Sequence, residues 1–386
     1  MGVVLSQPAA AAARERRLLV VAGEPSGDAH AGRLVRALRE LGPVRVRAVA
    51  GPELRAAGAE TVVPQEELAV LGFSGILAKL PALWRARRAL LAELETFRPD
   101  AVLLVDYPGF NLRLGPELQR RGARVLYYIA PQVWAWHAER AREMARWVDR
   151  LAVVFPFEEP LFREAGVATT FVGHPLLDEL EPETSEAAFR AELGVAPQAR
   201  LVGLLPGSRR SELHAHASVL IEAASQLRAS HADVVPVLAL AHGLDRQALP
   251  RGAEARVRIV RGRTRCVQAF AACCAVASGT ATLETALFGT PLVIVYRLGW
   301  LNHLIAKRVI RLSHVGLPNI VAGAEVAPEL LQQAFRPDAL ARLLGRWLDD
   351  PTQLARRRAA LAVVRERLGG PGASRRAAAW LWERVA

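Results

Sequence analysis

Short apolar runs that stop at turn residues and give way to helical spacing recur along nearly the whole chain, and this alternation restricts the fold more than any other feature. Leu18–Ala22 runs straight into Gly23-Glu24-Pro25-Ser26-Gly27-Asp28, after which Ala31, Leu34, Val35 and Leu38 recur at helical spacing. Val44–Ala50, Ala101–Val105, Val125–Ile129 and Arg150–Phe155 continue the series, and Phe171-Val172-Gly173-His174-Pro175 closes it. Glu181–Glu186 is acidic, contains Pro182 and reads as an exposed linker. Arg200–Leu205, Val234–Leu240, Arg256–Val260, the apolar run from Cys274 and Leu292–Tyr296 then restart the pattern. Strands alternating with helices build a parallel sheet covered on both faces. Two such series predict an α/β chain of two doubly wound Rossmann-like domains, and 386 residues at 52% hydrophobic suffice for two cores. The expected bounds are 18–178 and 179–364, with a floppy leader over 1–17. Residues 365–386, interrupted by Gly369-Gly370-Pro371-Gly372, are expected to send a last helix back to the first domain.

A formal charge of +12 gives a positive field that suits nucleic acid, an anionic membrane or a phosphorylated substrate. The charge is almost all arginine, because the only lysines are Lys79 and Lys307. Few aromatics interleave with those arginines and no helix-turn-helix or RNP-like signature occurs, so nucleic acid is excluded as a partner. Cys266, Cys273 and Cys274 form neither a disulfide framework nor a zinc-ligand spacing, which fits a reducing compartment. The alanine-rich start lacks the pattern of a signal peptide. No run approaches the roughly 18 apolar residues of a membrane span, so any membrane contact is peripheral. Phe73, Ile76, Leu77, Leu80, Leu83 and Trp84, with Lys79, Arg85, Arg87 and Arg88, suit a helix lying in a membrane interface or a core-facing helix with a basic outer side. Trp300, Leu301, Leu304 and Ile305 with Lys307, Arg308 and Arg311 form a weaker second candidate.

Ligands of such sheets bind beyond the carboxyl ends of the strands. In the first half this places Glu24, Ser26, Asp28, Asp106 and Asn111 at the rim of a cleft. Asp106 ends a strand just before Pro108, where it suits a general base or a turn cap. Trp134, with Trp136 and His137, is either a sugar-stacking wall or core. In the second half, Gly207-Ser208-Arg209 at a strand-to-helix turn offers backbone N–H groups and a guanidinium fork to a phosphate, or is simply an exposed helix start. Ser278-Gly279-Thr280 opens another helix, with Ser278 as the expected N-cap and free N–H groups aimed above the sheet. Gly289 and Pro291 end that helix. Glu284, one turn inside, could accept hydrogen bonds from a ribose diol, or answers only to the helix dipole. No Asp-x-Asp pair occurs, so no metal and no cofactor is expected, and a diphosphate would rely on Arg209 and N–H groups.

An ordered set of short segments makes the reading specific. It comprises Ala22-Gly23-Glu24 with Ser26-Gly27-Asp28, Glu67–Gly72, Asp106 with Pro108 and Phe110-Asn111, Pro131 with Val133–Trp136, Phe157-Glu158 and Gly173-His174. Leu205–Arg209, Ala277–Ala281 with Glu284, Tyr296-Arg297, Ala306–Arg308 and Leu317-Pro318-Asn319 follow in the second half. In these the chain resembles the lipid-A-disaccharide synthases, inverting glycosyltransferases of Gram-negative bacteria with a GT-B-type fold. The resemblance implies transfer of 2,3-diacylglucosamine from its UDP derivative to 2,3-diacylglucosamine 1-phosphate, giving a β(1→6) disaccharide and UDP. It implies Asp106 as the base, UDP at Gly207, Ser208, Arg209, Ser278, Gly279, Thr280 and Glu284, and Arg297 and Asn319 as further cleft residues. A cytoplasmic location against the inner membrane is expected with it, the helical pattern of apolar and basic residues places Ile76, Leu80, Trp84, Arg85 and Arg88 at the lipid surface, and homodimers stay open. One departure is that the family often carries a second acid where this chain has Gly109. The competing readings are a UDP-sugar epimerase on the same frame and a non-catalytic binder of anionic membranes.

Overall fold

The computed structural model describes residues 14–68, 76–133, 139–297 and 314–385, without the side chains of 76–79. The chain forms two compact units. One comprises Met1–Pro175 with Gly372–Ala386, the other Leu176–Pro371.

The first unit is a seven-stranded parallel sheet of β1 (Arg16–Val21), β2 (Val44–Ala50), β3 (Glu60–Pro64), β4 (Ala101–Val105), β5 (Val125–Tyr128), β6 (Arg150–Val153) and β7 (Thr169–Phe171), in the order β3-β2-β1-β4-β5-β6-β7. The second holds β8 (Arg200–Leu205), β9 (Val234–Leu240), β10 (Arg258–Arg261), β11 (Cys273–Ala277), β12 (Leu292–Tyr296) and β13 (Glu329–Leu331), in the order β10-β9-β8-β11-β12-β13. β4 and β11 are buried at every residue, as strands covered by helices on both faces must be. The order reverses beside β1 and β4 in one sheet and beside β8 and β11 in the other, which is where doubly wound sheets bind ligands.

The strands absent from the sequence reading, β3, β7 and β13, all lie at sheet edges, where a half-exposed short segment carries little apolar pattern. β1 starts at Arg16, inside the expected leader, because Arg16 pairs with Val44 and the Arg17 N–H donates to Asp100 at 2.7 Å. The acidic stretch before residue 186 is anchored. Glu183 accepts the N–H groups of Arg265 at 3.0 Å and Cys266 at 2.8 Å.

Residues 365–368 finish the helix Pro351–Leu368 in the second unit, where Arg365 and Arg367 donate to the carbonyls of Leu287 and Val321. The return therefore begins at residue 372, not 365. Its helix Ala373–Trp382 packs along Pro25–Leu41, with Trp382 beneath the Arg16 guanidinium and Arg376 Nε donating to the Val172 carbonyl at 2.9 Å.

Asp28, expected at the ligand rim, is turned inward and buried. Its carboxylate accepts the N–H groups of Gly51 at 2.8 Å, Glu53 at 2.8 Å and Leu54 at 3.2 Å, and so caps the helix Pro52–Ala56. Asp28→Ala strands three donors and is expected to destabilise the first unit by about 3 kcal/mol. Thermal melting checks this, and an unchanged transition would show that water replaces the carboxylate.

Candidate active site

In the first unit the chemistry gathers where β4 ends. Asp106 and Tyr107 both adopt left-handed backbone, with φ of 47° and 50°. Such residues cost of order 1–3 kcal/mol each and persist only where their surroundings over-determine them. Here the surroundings do so. The Asp106 N–H donates to the Tyr128 carbonyl at 3.1 Å, while the Asp106 carbonyl accepts from Tyr127 Oη and Asn111 Nδ2, both at 2.7 Å. Tyr107 Oη donates to the Leu68 carbonyl at 3.1 Å. The Tyr107 ring fills the space over Gly23, where an added Cβ would sit 2.2 Å from it, so Gly23 has to be glycine.

The turn holds the Asp106 carboxyl half-buried with its pKa pushed up to about 6, chiefly by burial and then by the negative charge of Glu24, against a hydrogen bond from the Tyr107 N–H. Glu24 arrives from the neighbouring strand, since β1 pairs with β4 through Val21 and Leu104, and it is itself exposed, as is Ser26. Asn111 has a different place from the one expected. It is fully buried and steadies the turn under Asp106. Trp134 lies outside the described residues.

In the second unit a cavity of about 280 Å³ is lined by Gly207, Ser208 and Arg209 after β8 and by Ser278, Gly279 and Thr280 after β11. Pairing of Leu205 with Val276 brings the two turns together. The cap of the helix Thr280–Leu287 is Gly279, whose φ of 151° suits glycine, and not Ser278. The Ser278 N–H is committed to the Val295 carbonyl at 3.1 Å and its Oγ to the Val315 carbonyl at 3.4 Å. Thr280 and Ala281, the first residues of the helix, have no carbonyl a turn back to donate to and face the cavity with free N–H groups.

The other turn is already occupied. Glu212 accepts the N–H groups of Ser208 at 3.0 Å and Arg209 at 3.2 Å, and Arg209 Nη1 at 3.1 Å, and Gly207, at φ 114°, leaves room for that carboxylate. Glu212 is the residue that the sequence reading did not assign. It sits three residues inside its helix, the position of a capping-box carboxylate. Arg209 is 76% exposed, so its guanidinium can still turn to a ligand. Glu284 stands one turn deeper than the wall. It accepts from Gln268 Nε2 at 3.2 Å, and burial above all raises its pKa.

Two expected cleft residues are scaffold. The Arg297 N–H donates to His216 Nε2 at 3.0 Å and its Nη2 to the Phe335 carbonyl at 2.6 Å. His216, with Nδ1 2.7 Å from the Pro206 carbonyl and its pKa lowered by burial, is a neutral strut under the Gly207 turn. Asn319 is fully buried. Its Oδ1 accepts the N–H groups of Val326 at 2.8 Å and Ala327 at 2.9 Å, and its Nδ2 donates to Glu329 at 2.8 Å. Among the described residues no group of three His, Cys, Asp or Glu side chains converges as a metal site.

Two doubly wound units, one carrying a carboxyl of raised pKa at the end of β4 and the other an open helix start after β11, make up a fold of the GT-B class. Solved structures share the fold. A UDP-GlcNAc 2-epimerase from Neisseria meningitidis superposes with a TM-score of 0.65 at 12% identity, over 95% of this chain and 100% of that one. The calicheamicin glycosyltransferase CalG4 does so with a TM-score of 0.58 at 18% identity, over 96% and 98%. Sequence decides what fold alone leaves open. The profile of the Lipid-A-disaccharide synthetase family matches residues 18–377. Lipid-A-disaccharide synthase of Geobacter metallireducens is 43% identical over 95% of this chain and 96% of its own length, and that of Anaeromyxobacter dehalogenans is 41% identical over 94% and 96%. The chain belongs to the lipid-A-disaccharide synthase family.

Proposed function

We propose that this chain transfers 2,3-diacylglucosamine from UDP-2,3-diacylglucosamine to the 6-hydroxyl of 2,3-diacylglucosamine 1-phosphate, forming a β(1→6) disaccharide 1-phosphate and UDP. The observation that carries the reading is the Asp106 carboxyl, fixed on a strained turn at the end of β4 with a pKa of about 6. A base near neutrality is ionised at the working pH and still accepts a proton well. Asp106 takes the hydroxyl proton as the oxygen attacks the anomeric carbon, and the configuration inverts. The departing diphosphate is stabilised by the N–H groups of Thr280 and Ala281 and by the Arg209 guanidinium, and Glu284 receives the ribose hydroxyls. Incubation of the protein with the two acylated sugars should yield disaccharide and UDP in equal amounts. UDP released at the same rate without the acceptor would point to hydrolysis or epimerisation instead.

Both substrates carry acyl chains, which favours work at a membrane surface, on its cytoplasmic face where UDP-sugars are made. No helix among the described residues is long and apolar enough to cross a membrane. The helix Ile76–Thr96 buries Ala86, Leu90 and Leu91 in the core and leaves Leu80 and Trp84 exposed at 46% and 57%, with Arg85 and Arg88 exposed beside them. Apolar tips with flanking arginines suit anionic lipid headgroups. Ile76, Leu77, Lys79 and Phe73, like the second candidate around Trp300, lie outside the described side chains. Sedimentation with anionic vesicles should fall as salt rises, because polybasic attraction is screened. Equal sedimentation with neutral vesicles at every salt concentration would remove the electrostatic part.

A further inference from the structure

Beside the Asp106 turn lies a second cavity of about 260 Å³, which no step of the proposed reaction uses. Pro108 and Gly109 form its lip, Leu112, Met144 and Trp147 its apolar floor, and Arg113 and Arg140 its charged wall. Arg113 belongs to the helix Pro108–Arg120 and Arg140 to the helix Glu139–Met144, so two separate elements aim cations at one space.

The pairing of the surrounding arginines sets these two apart. Arg87 and Arg121 both reach Glu117, at 2.5 and 3.5 Å. Arg113 and Arg140 make no ion pair or hydrogen bond among the described residues, although Glu143 stands on the same cavity wall. Both guanidiniums are exposed and uncommitted beside a single carboxylate, so they are open to an anion from solution, and the planar fork of arginine matches phosphate oxygens. The apolar floor is complementary to the carbon face of a sugar. At Gly109 an added Cβ would meet nothing within 4 Å, so the lip of the cavity is open there, three residues after Asp106 in the chain.

We infer that this cavity is the subsite for a phosphate monoester borne by the acceptor sugar, with Arg113 and Arg140 binding the phosphate and Leu112 and Trp147 beneath the ring. The inference rests on the transferase reading, in which the attacking hydroxyl lies at Asp106. The subsite favours a phosphorylated acceptor, because an acceptor without the anion forgoes the charge-assisted bonds to both guanidiniums.

The test uses the full-length protein, Arg113→Ala and Arg140→Ala, and two acylated glucosamine acceptors that carry either a 1-phosphate or a 1-methyl group. Each variant is expected to raise KM for the phosphorylated acceptor about tenfold or more, as loss of one charge-assisted bond does. The turnover number, the KM for the UDP-sugar and all constants with the methyl acceptor should stay at wild-type values. Unchanged KM for the phosphorylated acceptor in both variants overturns the inference, and so does an equal rise with both acceptors. Calorimetry with glucosamine 1-phosphate separates this inference from the reading it rests on. Binding that both variants weaken, in a protein that forms no disaccharide, would sink the transferase reading alone. Normal turnover with unweakened binding in the variants would sink the subsite alone.

Discussion

Asp106→Asn is expected to lower turnover by about 10²–10⁴-fold, the usual contribution of a positioned general base, while UDP still binds. Asparagine keeps the shape and can hold the hydroxyl, but it cannot take the proton. The wild-type rate should climb with pH and level off above about 6, where the carboxylate is ionised. Glu24→Gln removes the negative charge that helps to raise this pKa and should move the acidic limb to lower pH. Stability changes in the opposite sense to the loss of rate. The folded-state pKa lies above the ordinary 3.8, so the folded form binds more protons between pH 3.8 and about 6 and loses stability as the pH rises through that window. Asparagine has no proton to lose, so at pH 7 the variant should melt at or slightly above the wild-type temperature. A lower melting temperature with near-normal turnover would make Asp106 a turn cap, and a variant with full activity and wild-type melting would end its assignment as the base.

Glu284→Ala and Arg209→Ala should each weaken UDP binding by about 1.5–3 kcal/mol, roughly 10- to 150-fold in Kd, with the fold intact. The two losses differ in kind. Glu284 is half-buried and its carboxylate accepts from Gln268, so its removal costs one side-chain hydrogen bond and deletes the proposed ribose acceptor. Arg209 is exposed and already paired with Glu212, and part of what it gives to phosphate it gives up from that pair, so its effect should lie at the lower end. Calorimetry of UDP binding decides. Unchanged affinity in both variants would move the nucleotide away from the turns after β8 and β11.

The alternation of apolar runs and helical spacing was enough to determine two parallel sheets, and with them the positions of Asp106, Gly207–Arg209 and Ser278–Thr280. A residue that follows a buried parallel strand stands at its carboxyl end whatever the side chains do, so chain order alone places it on the side where such sheets bind ligands. The edge strands β3, β7 and β13 lay outside that logic, being short and half-exposed. The roles of the polar residues around the sites were settled only in three dimensions. Asp28, Asn111, Arg297 and Asn319 carry the side-chain types of a binding site, yet the side chain of each bonds backbone groups brought close by the fold, such as the Gly51 N–H for Asp28 and the Phe335 carbonyl for Arg297, and Asn319 bonds the Glu329 side chain as well. A buried backbone donor or acceptor has to be paired, and the nearest polar side chain is drawn to it before any ligand arrives. The pKa of Asp106 has the same origin. It depends on burial and on Glu24, which follows a neighbouring strand and is far away in the chain, and desolvation and charge act through space, where a linear pattern carries no record of them.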